Sequence, residues 1–190
     1  MASSSSSEKV IRCCIRYVKG DLFTSPASES LAHCISADAK MGKGIAVMFK
    51  KQFGGVDEIM SQGQKPGGCA VLKRDSRYIY NLVTKERYFQ KPTYQTLESS
   101  LKRMNQHCKL KAVRNLSMPK IGAGLDKLEW RRVEEIIKEV FGRTEISITV
   151  YDLPHNETRG RGSGFNHKSA DIKKRPGSEK LTNENKKSKT

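Results

Sequence analysis

The chain has 190 residues, enough for one domain and a tail, and 36 Lys and Arg against 20 Asp and Glu give it a net charge of +16. That charge favours polyanionic over cationic partners. No apolar run is long enough to span a membrane, Met1–Glu8 is polar and Ser-rich rather than a signal-peptide core, and five cysteines at no metal-ligand spacing read as reduced thiols, so neither membrane contact, metal nor cofactor is expected.

In chain order, Ile11 to Val18 alternates apolar and polar residues and reads as a strand, and Ser30 to Ile35 as a second. Ile45 to Phe53 places Ile45, Met48, Phe49 and Phe53 on one helical stripe that ends at Gly54-Gly55. Cys69–Lys73 and Tyr78–Val83 flank Asp75-Ser76 and read as a hairpin. Pro92-Thr93 opens a long helix with Tyr94, Leu97, Leu101, Met104 and Cys108 on one face. Ala112 to Met118 reads as a buried strand and Glu129 to Phe141 as a helix. Ile146 to Leu153 is the last strand. Alternating strands and helices predict an α/β domain with its sheet covered on both faces.

In such sheets ligands sit beyond the carboxyl ends of strands. Three loops there are richer in Gly, Lys or Asp than a turn requires: Ser36 to Gly44, Thr84 to Lys91, and Pro119 to Leu128. Gly122-Ala123-Gly124-Leu125-Asp126 hands a strand over to a helix. Its glycines allow a ligand to approach the backbone N–H groups, and the helix start behind them favours an anion such as phosphate. Met41-Gly42-Lys43-Gly44-Ile45 is a second loop of this kind, and a diphosphate between the two would find backbone donors on both sides. Asp126 adds a carboxylate able to move protons. Lys85 closes the fourth strand, where a neighbouring cation such as Arg87 would favour its nucleophilic amine form. Asp21 reads either as a turn cap or as an acceptor for an exocyclic amine such as that of adenine. His33 reads as a packed core residue.

These motifs together resemble the macrodomain family, and within it the glycohydrolases that remove terminal ADP-ribose from acidic side chains. The likeness runs from about Tyr17 to Leu153. It is carried by Tyr17-Val18-Lys19-Gly20-Asp21-Leu22-Phe23, Leu31-Ala32-His33-Cys34-Ile35-Ser36, Met41-Gly42-Lys43-Gly44-Ile45-Ala46-Val47, Thr84-Lys85, Lys91-Pro92-Thr93-Tyr94 and Ile121-Gly122-Ala123-Gly124-Leu125-Asp126. The resemblance implies a three-layer α/β/α fold with a mixed central sheet over residues 10–153. It further implies that Asp21 and Leu22 meet adenine, and that Ser36, Met41, Gly42, Gly44 and Ile45 line the distal ribose and phosphates. Lys120, Ile121, Gly122, Ala123, Gly124, Leu125 and Asp126 would wrap the diphosphate, and Leu153 would touch the ligand at the last strand end. Lys85 would be the nucleophile and Asp126 the general acid–base group. Many hydrolytic macrodomains carry an Asn-Ala-Ala-Asn-like run after the second strand. Here the place reads Ile35-Ser36-Ala37-Asp38, which disfavours an asparagine-assisted water and favours the lysine route.

The implied activity is hydrolysis of ADP-ribosyl esters of glutamate and aspartate, and of O-acyl-ADP-ribose, by a monomer without cofactor. The implied partners are ADP-ribose, ADP-ribosylated proteins and poly-ADP-ribose. The alternative is a non-catalytic ADP-ribose reader, which would need the glycine loops and Asp21 but neither Lys85 nor Asp126. Residues 1–9 and 154–190 are expected to be disordered. The tail holds ten Lys or Arg against four Asp or Glu, a net charge of +6, and only Phe165, Ile172 and Leu181 as large apolar residues. Lys173-Lys174-Arg175 and Lys186-Lys187-Ser188-Lys189 have the spacing of a bipartite nuclear import signal, and Arg159-Gly160-Arg161-Gly162 suits nucleic-acid contact. The expected location is nuclear, nucleoplasm and nucleolus, with some protein in the cytoplasm.

Overall fold

The structure, a computed structural model, describes residues 13–153. Its elements are β1 (Cys14–Lys19), β2 (Ser30–Ser36), α1 (Ile45–Phe53), α2 (Val56–Ser61), β3 (Gly68–Arg74), β4 (Arg77–Lys85), α3 (Tyr94–Leu110), β5 (Asn115–Pro119), α4 (Trp130–Phe141) and β6 (Ser147–Asp152). They form one six-stranded sheet in the order β1-β6-β5-β2-β4-β3. All neighbours are parallel except β3, which pairs antiparallel with β4 through the expected hairpin, with Asp75 in the turn at φ 47°.

Side chains alternate along the inner strands, so each strand feeds two cores. Leu31, Ile35, Ile79 and Val83 meet Phe49 of α1 and Ile59 of α2 on one face. Ala32, Tyr80, Leu82, Leu116, Met118, Ile148 and Val150 meet Leu97, Leu101, Met104, Val133, Ile136 and Ile137 of α3 and α4 on the other. This is the mixed three-layer α/β/α fold.

Two details depart from the expected elements. The fifth strand starts at Asn115 rather than Ala112, because α3 runs on to Leu110 and Ala112, at φ 51°, turns the chain back. Helix α2 has no counterpart among the expected elements, because its six residues are too few for a periodic signal. Directly after it, the Gln62 side chain does a strand's work on the open edge of β3. Its amide nitrogen donates to the Val71 carbonyl at 2.9 Å and its oxygen accepts from the Val71 N–H at 2.9 Å, which blunts that edge against further pairing.

His33 is a core residue, as expected. Its ring stacks on Phe49 with centroids 3.7 Å apart, and Nε2 lies 2.7 Å from Asn81 Oδ1. The Asn81 amide nitrogen donates to the carbonyls of Ala70 and Ile79, so its oxygen is the acceptor and Nε2 carries the proton. Burial lowers the His33 pKa to about 4, against the opposing pull of that hydrogen bond. The unfolded chain therefore binds a proton at His33 near pH 6.5 that the folded chain refuses. Stability should fall as pH drops from 6.5 towards 4, by up to about 3 kcal/mol from this group. Thermal melts across that range should show a shallower pH dependence in His33→Gln than in the wild-type chain.

Candidate active site

The strand order sets where a ligand can enter. After β2 the chain crosses to the edge strand β3 and returns in β4 on one side, and after β5 it crosses to β6 on the other. Loops that leave in opposite directions open a crevice between the carboxyl ends of their strands. The pairing agrees, since β2 and β5 are in register only at Ser30–Leu116 and Leu31–Ser117. The two glycine loops are the ones that follow β2 and β5, so they flank this crevice. They also touch: a Cβ on Gly44 would stand 3.2 Å from Leu125 Cδ1.

The loop after β5 is braced from within. Ile121 donates its N–H to the Pro119 carbonyl at 2.7 Å, Ala123 to Lys120 at 3.2 Å and Leu128 to Gly122 at 2.9 Å. Among the described residues, the N–H groups of Gly124, Leu125 and Asp126 have no acceptor, and these are the donors left for an anion. Across from them, α1 begins at Gly44, at φ 61°, without a side-chain cap.

Lys85 and Asp126 form an ion pair through Nζ and Oδ1, each side chain only 14% exposed. The pair joins the end of β4 to the loop after β5, above Cys34, whose thiol is pushed up to about 12 by burial first and then by the Asp126 charge. The Lys85 backbone is fixed on both sides. Its carbonyl accepts the Ala37 N–H at 2.8 Å, and the Thr84 carbonyl beside it accepts the Thr96 hydroxyl at 2.8 Å. Thr96 belongs to a capping box with Thr93, so the start of α3 and the end of β4 are locked as one unit.

Other candidate residues take more specific positions than their motifs indicated. The Ser36 hydroxyl donates to Asp38 at 2.5 Å, and Asp38 also accepts the Tyr88 N–H at 3.1 Å. Burial opposes ionisation of Asp38, but these donors, the Lys40 N–H and the Arg87 charge hold it below the usual carboxylate range. Asp38 thus ties the loop after β2 to the loop after Lys85, and the Arg87 charge is felt at Asp38. Asp21 caps a 3-10 turn at Leu22–Thr24, its Oδ1 accepting the Phe23 N–H at 3.0 Å. Lys120 pairs with Asp152 at 2.5 Å, next to Gly20, whose N–H bonds the Asp152 carbonyl at 3.0 Å. Asp21, Lys120 and the exposed Leu153 therefore gather at the β1–β6 end of the crevice. Leu22, Met41 and Ile121 are buried in the core.

Fold and crevice together define an α/β module with unpaired backbone N–H groups beside a topological switch point and a Lys–Asp ion pair at one end. The macro domain family model matches residues 26–137, and the chain belongs to the macrodomain family. Human ADP-ribose glycohydrolase OARD1 is 59% identical over 139 residues, covering 73% of this chain and 91% of that protein. The DNA ADP-ribosyl glycohydrolase of Thermus aquaticus is 29% identical over 152 residues, covering 75% of this chain and 42% of that one. The solved macrodomain of Thermus aquaticus DarG superposes with a TM-score of 0.66 at 28% identity, covering 73% of this chain and 97% of that structure.

The two loop glycines should respond differently to substitution. Gly122 sits at φ 72°, and a Cβ there would stand 2.9 Å from Leu128 Cδ1. Gly124 has open space around it and no left-handed φ. Gly122→Ala should cost about 1–3 kcal/mol of stability in denaturant unfolding and Gly124→Ala less than about 0.5 kcal/mol.

Proposed function

We propose that the chain hydrolyses the ester between ADP-ribose and a glutamate or aspartate side chain, and deacylates O-acyl-ADP-ribose, with Lys85 as nucleophile and Asp126 as proton carrier. The observation that carries this reading is the Lys85–Asp126 pair at one end of the crevice between the two glycine loops. From β1 to β4 are four strand spacings, about 19 Å at roughly 4.8 Å each. That length suits a ligand with a base near Asp21 and Leu153, a diphosphate over the Gly124–Asp126 N–H groups and a ribose at Lys85. The names of the human and Thermus aquaticus relatives agree with hydrolysis at an ADP-ribosyl bond.

Asp126 takes a proton from the Lys85 ammonium and frees the amine. Nζ bonds to the anomeric carbon of the distal ribose while that carbon's bond to the acceptor oxygen breaks, and the carboxylate leaves with the electron pair. The ring then opens: the nitrogen lone pair forms a C=N bond, the ring oxygen leaves the carbon, and a proton passes from nitrogen to that oxygen through Asp126, giving a protonated Schiff base. Water adds to the C=N carbon, the bond to Nζ breaks as the aldehyde forms and the ring closes, and proton return through Asp126 restores the ammonium. The net reaction consumes one ester and one water and yields a free acid and ADP-ribose. Charge on the diphosphate is met by preorganised N–H donors.

A reader module would need the glycine loops and Asp21 but has no task for the Lys85–Asp126 pair. Lys85→Ala separates the two readings. Ester turnover should be abolished while ADP-ribose still binds by calorimetry; unchanged turnover would remove the lysine mechanism. Asp126→Ala should slow turnover by about 10²–10⁴-fold, the range of general acid–base catalysis, and accumulate lysyl adduct. Normal turnover in that variant would move the proton transfers to another group.

The basic segment after Leu153 lies outside the described residues, as does Ile11-Arg12 of the first expected strand. On its charge pattern we propose for the tail a role in nuclear retention and in contact with poly-ADP-ribose or nucleic acid. Truncation after Leu153 should leave hydrolysis of small esters intact and reduce both nuclear accumulation and salt-sensitive polymer affinity. Identical distribution and binding at low salt would deny the tail both roles.

A further inference from the structure

Beside the crevice, at the same carboxyl end of the sheet, lies a second concavity of about 450 Å³. It is lined by Gln64, Lys65, Gly67, Gln95, Ser99 and Arg103. Its floor is the tight turn into β3, where the Gly68 N–H bonds the Lys65 carbonyl at 2.8 Å. Its far wall is one face of α3. The turn approaches that wall so closely that a Cβ on Gly67, at φ 91°, would stand 3.1 Å from Ser99 Cβ.

The groove is anchored to the strand that carries Lys85. The Gly67 N–H bonds the Val83 carbonyl at 2.8 Å, and Thr96, also in the lining, bonds the Thr84 carbonyl. Floor and wall are therefore bonded to the two residues that precede Lys85. In the reaction above, the group leaving at Lys85 is a side chain of another protein, so the acceptor polypeptide has to run away from this point across the surface.

We propose that this groove seats an acidic peptide segment flanking the modified residue, with Lys65 and Arg103 meeting its carboxylates. The assignment deepens the hydrolase reading and rests on it. Among the described residues, neither cation has a carboxylate within salt-bridge distance. The amides of Gln64 and Gln95 and the hydroxyl of Ser99 can both donate and accept, which suits a peptide backbone. No aromatic side chain lines the groove, so a further nucleotide unit would find no stacking platform there. These features favour a peptide over a second stretch of polymer.

The test compares the wild-type chain with the double variant Lys65→Glu, Arg103→Glu on three substrates. They are an ADP-ribosyl-glutamyl peptide with acidic flanks, the same peptide with glutamine flanks, and O-acetyl-ADP-ribose. The wild-type chain should prefer the acidic peptide by about fivefold in kcat/KM, mainly through KM, and less at high salt. The variant should lose or reverse that preference and turn over O-acetyl-ADP-ribose at the wild-type rate. A wild-type chain without preference, or a variant that keeps it, overturns the proposal.

A second measurement does not depend on turnover. Titrating an unmodified glutamate-rich peptide into the ADP-ribose-saturated wild-type chain should shift the backbone amide signals of Gly67, Gly68 and Ser99. Unmoved signals, or signals moved by poly-ADP-ribose and not by the peptide, overturn the assignment. If no ester is hydrolysed at all, the hydrolase reading fails while this titration still decides the groove.

Discussion

A largely buried ammonium facing a largely buried carboxylate is the contact around which the site is built. Lys85 and Asp126 come from opposite sides of the crevice, and each would be left an unpaired, poorly solvated charge without the other. Keeping them together requires the end of β4 and the loop after β5 to hold still. The Thr96 hydroxyl on the Thr84 carbonyl and the Ala37 N–H on the Lys85 carbonyl hold the first, and the Leu128 N–H on the Gly122 carbonyl braces the second. None of the three groups is in the ion pair, yet each restricts the position of one of its partners.

The second constraint is topological. A parallel sheet with β2 and β5 side by side sends their following loops apart, and both loops here are rich in glycine. The crevice is therefore lined by backbone rather than by long side chains. An anion held there is met by fixed dipoles that need little reorganisation as charge develops. Basic side chains close by are largely committed elsewhere. Lys120 is paired with Asp152, and Lys40 stacks over the Tyr88 ring at 3.9 Å.

Much of this was legible in the sequence, because the signals were local. The strand and helix periods, Asp75 in the hairpin turn, Gly44 before α1, and the placement of Lys85 at a strand end and of Asp126 in a strand-to-helix loop all follow from neighbouring residues. What could not be read were the long-range partners. Nothing around Lys120 points to Asp152, and nothing around Gln62 shows that its amide will cap the edge at Val71. By sequence Asp38 marks only a departure from an asparagine motif, whereas in the structure it joins the loop after β2 to Tyr88. Leu22, Met41 and Ile121 belong to loop motifs by sequence but to the core by burial, a distinction that needs three dimensions. Helix α2 is too short to announce itself, and the start of β5 depends on how far α3 runs.

On the proposed mechanism Lys85 forms a covalent bond to the sugar. Incubating the wild-type chain with ADP-ribose, trapping with a hydride reductant and mapping the product by peptide mass spectrometry tests it directly. One ADP-ribosyl adduct per chain, located on Lys85, is expected. An adduct confined to other lysines, or none while ester hydrolysis proceeds at full rate, would contradict it.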